Sequence, residues 1–378
     1  MAKSVPILTV NTGSSSIRLA AYAATTGAGV ELLAAQHGEP NHRNPAEHVR
    51  RFLRDHGLAD IALVAHRVVH GGEKFLQSCL LDDGAEREIE RLTPLAPLHN
   101  PLALRWMRAC RAVLGPPVPQ VAVFDTTFYA TLPEVARTYA LPRDLAARHR
   151  IRRYGFHGLA HAAMGQRWRS LRTMSDGTDR VISLQLGTGC SITATEHGAV
   201  RDTSMGFSPL EGLVMATRCG DVDAGLVIHL QRQAGLSPAA TDRLLNESSG
   251  LLGLSGISGD MRVLLASENP HARLAVDLYC YRARKYIGAY LAVLGGVDAI
   301  LFGGGVGENA PEIRARILDG PEWAGIRFDA VENAATQGTE NRISDSNSHA
   351  AVWVIPVDEA PVMVQEAMAV MARTGGVP

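Results

Sequence analysis

The chain has 378 residues, 46% of them apolar and 20% charged, with a formal net charge of −1. That length suits about two domains with a core each, the composition is globular rather than disordered, and the balanced charge offers no basic surface to nucleic acid. The cysteines (Cys79, Cys110, Cys190, Cys219, Cys280) form no CxxC pair, the histidines show no HExxH spacing, and no apolar run is long enough to span a membrane.

The opening MAKSVPILTVNTG carries one lysine and a short apolar run, unlike a secretion signal, so a soluble cytoplasmic protein is expected. Ile7 to Val10 predicts a strand, and Ile17 to Tyr22 a returning one. Between them NTGSSS forms a turn in which Gly13, Ser14 and Ser16 let a phosphate approach, Asn11 can donate to it and Arg18 adds charge. A plain polar turn fits that segment equally well. Asn44 to His56 predicts a helix with Val49, Phe52 and Leu53 on one face. Ile61 to Ala65 predicts a buried strand, which ends in His66, Arg67 and His70 before a glycine pair. Charged groups at the C-terminal end of a buried strand lie where open α/β sheets bind ligands.

A short helix over Glu86 to Leu92, a proline-rich loop from Leu95 to Pro101 and a helix over Leu102 to Leu114 follow. A strand over Val121 to Phe124 puts Asp125 at its tip, a place for a metal ligand, a base or a helix N-cap. In RRYGFHGLAH, His157 and His161 are four apart, but Gly155 and Gly158 interrupt a helix there and no third ligand follows. A polar histidine beside a phosphoryl group suits the segment better than a metal pair. Arg169 to Asp179 reads as a surface loop before a second half.

That half begins with strands over Val181 to Leu186 and Cys190 to Thr195, joined by Gly187, Thr188 and Gly189. Such a turn brings the backbone N–H groups of Gly187, Thr188 and Gly189 to a point that suits a phosphate, although alone GTG is an ordinary hairpin turn. Yet Leu8 to Gly13 set against Leu184 to Gly189 matches Thr-Gly with Thr-Gly at the end of an apolar run, which predicts a duplicated domain with a cleft between halves. Arg218, near Gly220, repeats the setting of Arg67, so each half offers an arginine to a small anion. Asp223 to Gln233, Pro238 to Glu247 and His271 to Leu294 predict helices, with a Gly/Ser loop over Ser249 to Arg262. A strand over Ala299 to Phe302, glycines from Gly303 to Asn309 and a helix over Pro311 to Leu318 form a nucleotide-compatible order, although neither a P-loop nor a Rossmann fingerprint is intact. A last strand over Ala350 to Val357 carries Asp358 and Glu359 at its tip, and a helix closes the chain from Val362 to Arg373.

These residues resemble the acetate kinases of the sugar kinase, Hsp70 and actin superfamily, nearly end to end. The carriers are NTGSSSIR (11–18), HRVVHGGEKF (66–75), LAPLHNP (95–101), FDTTFYATLP (124–133), RYGFHG (153–158), DTSMGFSPLEGLVMATRCGD (202–221), GISGDMR (256–262) and GVGENAPEIR (305–314). The resemblance implies an α/β fold of two duplicated actin-like (ribonuclease H-like) domains around a central active-site cleft. Residues 1–150, joined by a closing helix over 360–378, would form the N-terminal domain, and 151–359 the nucleotide-binding one. It implies reversible transfer of the ATP γ-phosphoryl group to acetate, with Mg²⁺ or Mn²⁺, by a homodimer without nucleic-acid or membrane partners.

By the same match Arg67 and Arg218 hold the carboxylate and the moving phosphoryl group, His157 stabilises its equatorial oxygens, and Asp125 orients acetate or metal. Asn11 and Glu359 support Mg²⁺, and Val69, Leu98, Phe156 and Pro209 wall a methyl pocket. Asp260, Met261, Arg262, Gly305, Val306, Gly307, Glu308 and Asn309 face adenosine. The chain departs from the family's usual HLGNG in reading QLGTG, with Thr188 for Asn; it has Arg18 for a usual Lys, and Tyr129 and Ala130 in FDTTFYATLP where members read FDTAFHQTMP. Propionate kinase and pyrophosphate-linked acetate kinase are the near alternatives, and an actin- or Hsp70-like ATPase the distant one.

Overall fold

The computed structural model describes residues 5–13, 16–24, 29–39, 44–172 and 179–375. The chain divides into two compact units, the first made of Met1–Ala130, Phe156–Leu159 and Asp358–Pro378, the second of Thr131–Gly155 and Ala160–Val357. Residues 131–150, placed in the first half by sequence, thus group with the second unit.

The first unit is built on a sheet of β1 (Val5–Thr12), β2 (Ile17–Ala24), β3 (Val30–Gly38), β4 (Leu63–Val68), β5 (Cys79–Leu80) and β6 (Gln120–Phe124). Its order is β3-β2-β1-β4-β6-β5: an antiparallel meander, then two strands parallel to β1, then a short antiparallel edge. β4 and β6 lie inside the sheet with both faces covered, so they read as near-continuous apolar runs. Trp106, on the helix Asn100–Leu114, is fully buried with Val49, Phe52 and Val64. The C-terminal helix Ala360–Arg373 packs against β1, β4 and β6.

The second unit has β7 (Arg180–Leu186), β8 (Cys190–Glu196), β9 (Ala199–Thr203), β10 (Ala299–Gly303), β11 (Asn341–Arg342) and β12 (Ala351–Val354). Its order, β9-β8-β7-β10-β12-β11, is the same permutation with the same parallel and antiparallel pairings. β1 and β7 occupy equivalent places, which is the duplication read from the two Thr-Gly turns.

Three stretches differ from expectation. Ser249 to Arg262 is not simply a loop: Gly250–Ser255 is helical, ended by Gly256 at φ 65°, and Asp260 caps the helix Met261–Leu265 through the Arg262 N–H. Arg169 to Leu171 continue the helix Gly158–Leu171. Gly304–Asn309 is itself a helix rather than a glycine loop. The strands β3 and β9 had no strong sequence signal, for both are edge strands of their sheets and β3 is largely exposed.

Candidate active site

Parallel pairing brings the C-terminal ends of β1, β4 and β6 side by side, with Val10 beside His66 and Val68 beside Phe124. Asn11, Arg67 and Asp125 therefore gather at one edge of the sheet. Arg67 donates from Nε and NH2 to the two Asp125 oxygens at 3.1 and 2.8 Å, and from NH1 to Asn11 Oδ1 at 3.1 Å. Glu359, just before the C-terminal helix, completes the cluster: its Oε2 accepts from Asn11 Nδ2 at 2.6 Å and lies 3.3 Å from Arg67 NH1. Burial disfavours the Arg67 cation, but Asp125 and Glu359 outweigh it and hold the guanidinium above its ordinary value. Burial pushes the Glu359 carboxyl up, against the pull of Arg67. Two carboxylates and an amide oxygen around one arginine form a hard donor set with surplus negative charge. Such a set fits Mg²⁺, which takes one or two carboxylates and completes its shell with phosphate oxygens and water.

Around this cluster, Arg18 pairs with Asp358 at 2.7 Å, and the Tyr22 hydroxyl donates to the other Asp358 oxygen at 3.3 Å. Burial, with Asp358 beside it, pushes the Tyr22 phenol up to about 12. Ser14 lies outside the described residues. Ser16 is exposed, and its carbonyl takes the Gly13 N–H at 2.8 Å to close the turn.

His157 sits at φ 58°, a left-handed conformation uncommon outside glycine and often found where function holds the backbone. Gly158 comes so close to the turn after β6 that a Cβ on it would stand 2.0 Å from the Asp125 carbonyl oxygen. Phe156 is buried, meets His70 edge-on at 5.5 Å, and its carbonyl accepts from the Tyr129 hydroxyl. Val69 is buried as well, whereas Leu98 is 72% exposed on its loop.

The second unit holds a cavity of about 1040 Å³ lined by Gly187, Thr188, Asp260, Met261, Arg262, Gly305, Val306 and Asn309, which sequence assigned to the nucleotide. Ala216, Glu312 and Gln337 also line it and were missed. Glu312 lies inside GVGENAPEIR without having been singled out, and Gln337 lies in no motif. Gly189, Gly307 and Glu308, also expected at the nucleotide, are not among its lining residues. The Gly307 carbonyl accepts from the buried Arg314 at 2.8 Å, and the Glu308 carboxylate accepts backbone N–H groups from Gly304 and Val357. In the GTG turn the Gly187 N–H is already given to the Gly189 carbonyl at 3.1 Å. The Asp260 carboxylate is gripped by its own neighbour, Arg262, whose hydrogen bonds hold it below its usual range.

Arg218 is in a different state from Arg67. Its NH1 donates to the Pro209 carbonyl at 2.5 Å, and among the described residues no carboxylate lies within ion-pair distance. Burial lowers its affinity for the proton, with Cys190 a smaller opposing influence. A desolvated guanidinium without a counter-ion is a site for an anion.

The acetokinase family model matches residues 44–365. The chain belongs to the acetokinase family. An acetate kinase of Solibacter usitatus is 50% identical over 313 residues, which is 82% of this chain and 76% of that one. A crystal structure of Porphyromonas gingivalis acetate kinase superposes with a TM-score of 0.86 at 37% identity, covering 97% of this chain and 100% of the other. A propionate kinase from Francisella tularensis superposes with a TM-score of 0.85 at 34% identity, covering 97% and 99%. The acetokinase chain is thus a phosphotransferase with a carboxyl group as acceptor, on two duplicated actin-like domains. Among the described residues no helix is long and apolar enough to cross a membrane.

Proposed function

We propose that this acetokinase reversibly transfers the γ-phosphoryl group of ATP to acetate, giving acetyl phosphate and ADP. The observation that carries the reading is Arg218, a desolvated cation facing a carbonyl and no carboxylate among the described residues. Phosphoryl transfer spreads negative charge over the moving group, and catalysis consists largely of placing positive charge where it develops. Arg218 supplies that charge from the second unit, and the cavity beside the GTG turn receives ATP. In the first unit Arg67, oriented by Asp125, binds the acceptor carboxylate. His157 donates to the equatorial oxygens. Val69, Leu98 and Phe156 of the first unit, and Pro209 of the second, are the apolar residues assigned to the methyl group. Mg²⁺, or Mn²⁺ in its place, would be held by Glu359 and Asn11 with Asp125 adjacent, and would neutralise charge on the phosphates. The acetate oxygen then bonds to phosphorus as the bond to the ADP oxygen breaks.

Propionate is a second acceptor under the same reading, since Leu98, assigned to the methyl group, is largely exposed. Trapping the acyl phosphate with hydroxylamine, for acetate, propionate and butyrate against ATP and pyrophosphate, tests both readings. Hydroxamate formed from acetate and ATP supports the first, and ATP hydrolysis without hydroxamate sinks it. The enzyme is further proposed to act in the cytoplasm, as expected for this family, and as a homodimer, since Leu226, Ile228, Leu274 and Tyr281 leave apolar surface on two helices of the second unit. Sedimentation equilibrium checks the dimer.

A further inference from the structure

Residues 205–211 form no helix or strand, yet they carry Pro209, whose carbonyl receives the Arg218 guanidinium at 2.5 Å. Such a segment keeps one shape only if side chains hold it. One of those side chains is Tyr139, in a stretch that belongs to no motif. The half-buried Tyr139 hydroxyl donates to Glu211 Oε2 and accepts the Phe207 backbone N–H at 2.8 Å. The other Glu211 oxygen, Oε1, accepts from Arg153 NH2 at 2.5 Å. Arg153 also donates to the carbonyls of Ser204 and Ala136, each at 3.3 Å, and its guanidinium lies 5.5 Å from the centre of the Tyr139 ring. The Gly206 carbonyl takes the Tyr154 N–H at 3.0 Å. Gly206 has no room for a side chain: a Cβ there would stand 1.7 Å from Glu211 Oε2 and 2.0 Å from the Tyr139 oxygen. The segment is therefore held at Gly206, Phe207 and Glu211, on both sides of Pro209, by Tyr139, Arg153 and the Tyr154 backbone. Burial, with Glu211 beside it, holds the Tyr139 phenol well above its usual value, so it remains a donor at neutral pH.

We propose that Tyr139 is a positioning residue for phosphoryl transfer, fixing with Glu211 and Arg153 the segment whose Pro209 carbonyl aims Arg218. This rests on the assignment of Arg218 to the transferred group. Tyr139 is not among the residues that line the nucleotide cavity. Its effect reaches the chemistry through Phe207, Pro209 and then the guanidinium.

The test is a double-mutant cycle of Tyr139→Phe with Arg218→Lys, read by steady-state kinetics with acetate and ATP. Tyr139→Phe removes one oxygen. Losing a hydrogen bond to a charged group corresponds to roughly tenfold or more. The expected result is a kcat lowered about tenfold with KM for ATP within about twofold of wild type. In the Arg218→Lys background, where there is no guanidinium left to aim, the same change lowers kcat by less than about twofold. Glu211→Gln, which keeps the shape and weakens both contacts, should repeat the pattern. If Arg218→Lys turns over normally, the role of Arg218 fails and takes this inference with it. If Arg218→Lys is impaired while Tyr139→Phe is normal, or while Tyr139→Phe costs the same factor in both backgrounds, only the inference fails. A merely structural role would lower the melting temperature and lower kcat equally in both backgrounds.

Discussion

The Glu308 carboxylate folds back onto the backbone N–H of Gly304 at 2.8 Å, and the same oxygen accepts the Val357 N–H at 3.0 Å. The first N–H of the helix Gly304–Asn309 is thereby satisfied by an anion from its own last turn. That carboxylate takes the Gly304 N–H, while Gly305 and Val306 of the first turn and Asn309 of the last line the cavity. One oxygen therefore ties the helix Gly304–Asn309 to the chain that follows β12.

Removing this oxygen should loosen both ends. Glu308→Ala leaves two backbone donors without their acceptor, and an unsatisfied buried donor costs about 1–3 kcal/mol. The expected outcome is a loss of about 2–3 kcal/mol in denaturant unfolding, together with a raised KM for ATP. Glu308→Gln, which keeps an acceptor oxygen, should lie between. Wild-type stability in the alanine variant would show that the contact contributes nothing net.

Arg67→Lys is expected to lower kcat by about 10²-fold or more, the scale of one lost charge-stabilising group. Lysine cannot donate along both Asp125 oxygens and to Asn11 at once, as the guanidinium fork does. Near-normal turnover in a folded Arg67→Lys enzyme would remove Arg67 from the chemistry.

Thr188 is exposed on the cavity wall, and its carbonyl is fixed by the Ala216 N–H at 3.1 Å. Because the Gly187 N–H is committed within the turn, its backbone has fewer donors to offer a phosphate than the glycines suggest, and the residue-188 side chain matters more. Thr188→Asn should raise kcat/KM for ATP by about tenfold, a hydrogen bond to a charged group being worth about 1.5–3 kcal/mol. If Thr188→Ala matches wild type and Thr188→Asn gains nothing, the side chain is not a phosphate ligand.

Acid should destabilise the fold through three buried histidines. His161 bridges Ser183 at 2.7 Å and Ser191 at 2.8 Å, and burial pushes it down to about 3; burial likewise lowers His66 and His70 to about 4. The unfolded chain takes up these protons near pH 6.5 while the folded one refuses them, so stability is full above that pH. It falls between about pH 6.5 and 4 by about 1.4 kcal/mol per pH unit for each histidine. Denaturant unfolding at pH 7, 6 and 5 measures this. A flat profile would mean that the imidazoles protonate in place.

The sequence by itself determined the interior of the fold and the tips of its central strands. β4, β6, β7 and β10 are rich in buried positions, and such strands read as apolar runs without knowledge of their partners. Arg67 and Asp125 were legible because they stand where those runs stop. What only the tertiary structure decided depends on groups distant in the chain. The edge strand β3 has little apolar periodicity. GGVGEN looks like a loop until the Glu308 carboxylate meets Gly304 and Val357. Tyr139 has no signature of its own, since its importance comes from Glu211 and Phe207, about seventy residues on. Burial and strand pattern are properties of a local segment, whereas a hydrogen-bonded network exists only once the chain has brought its members together.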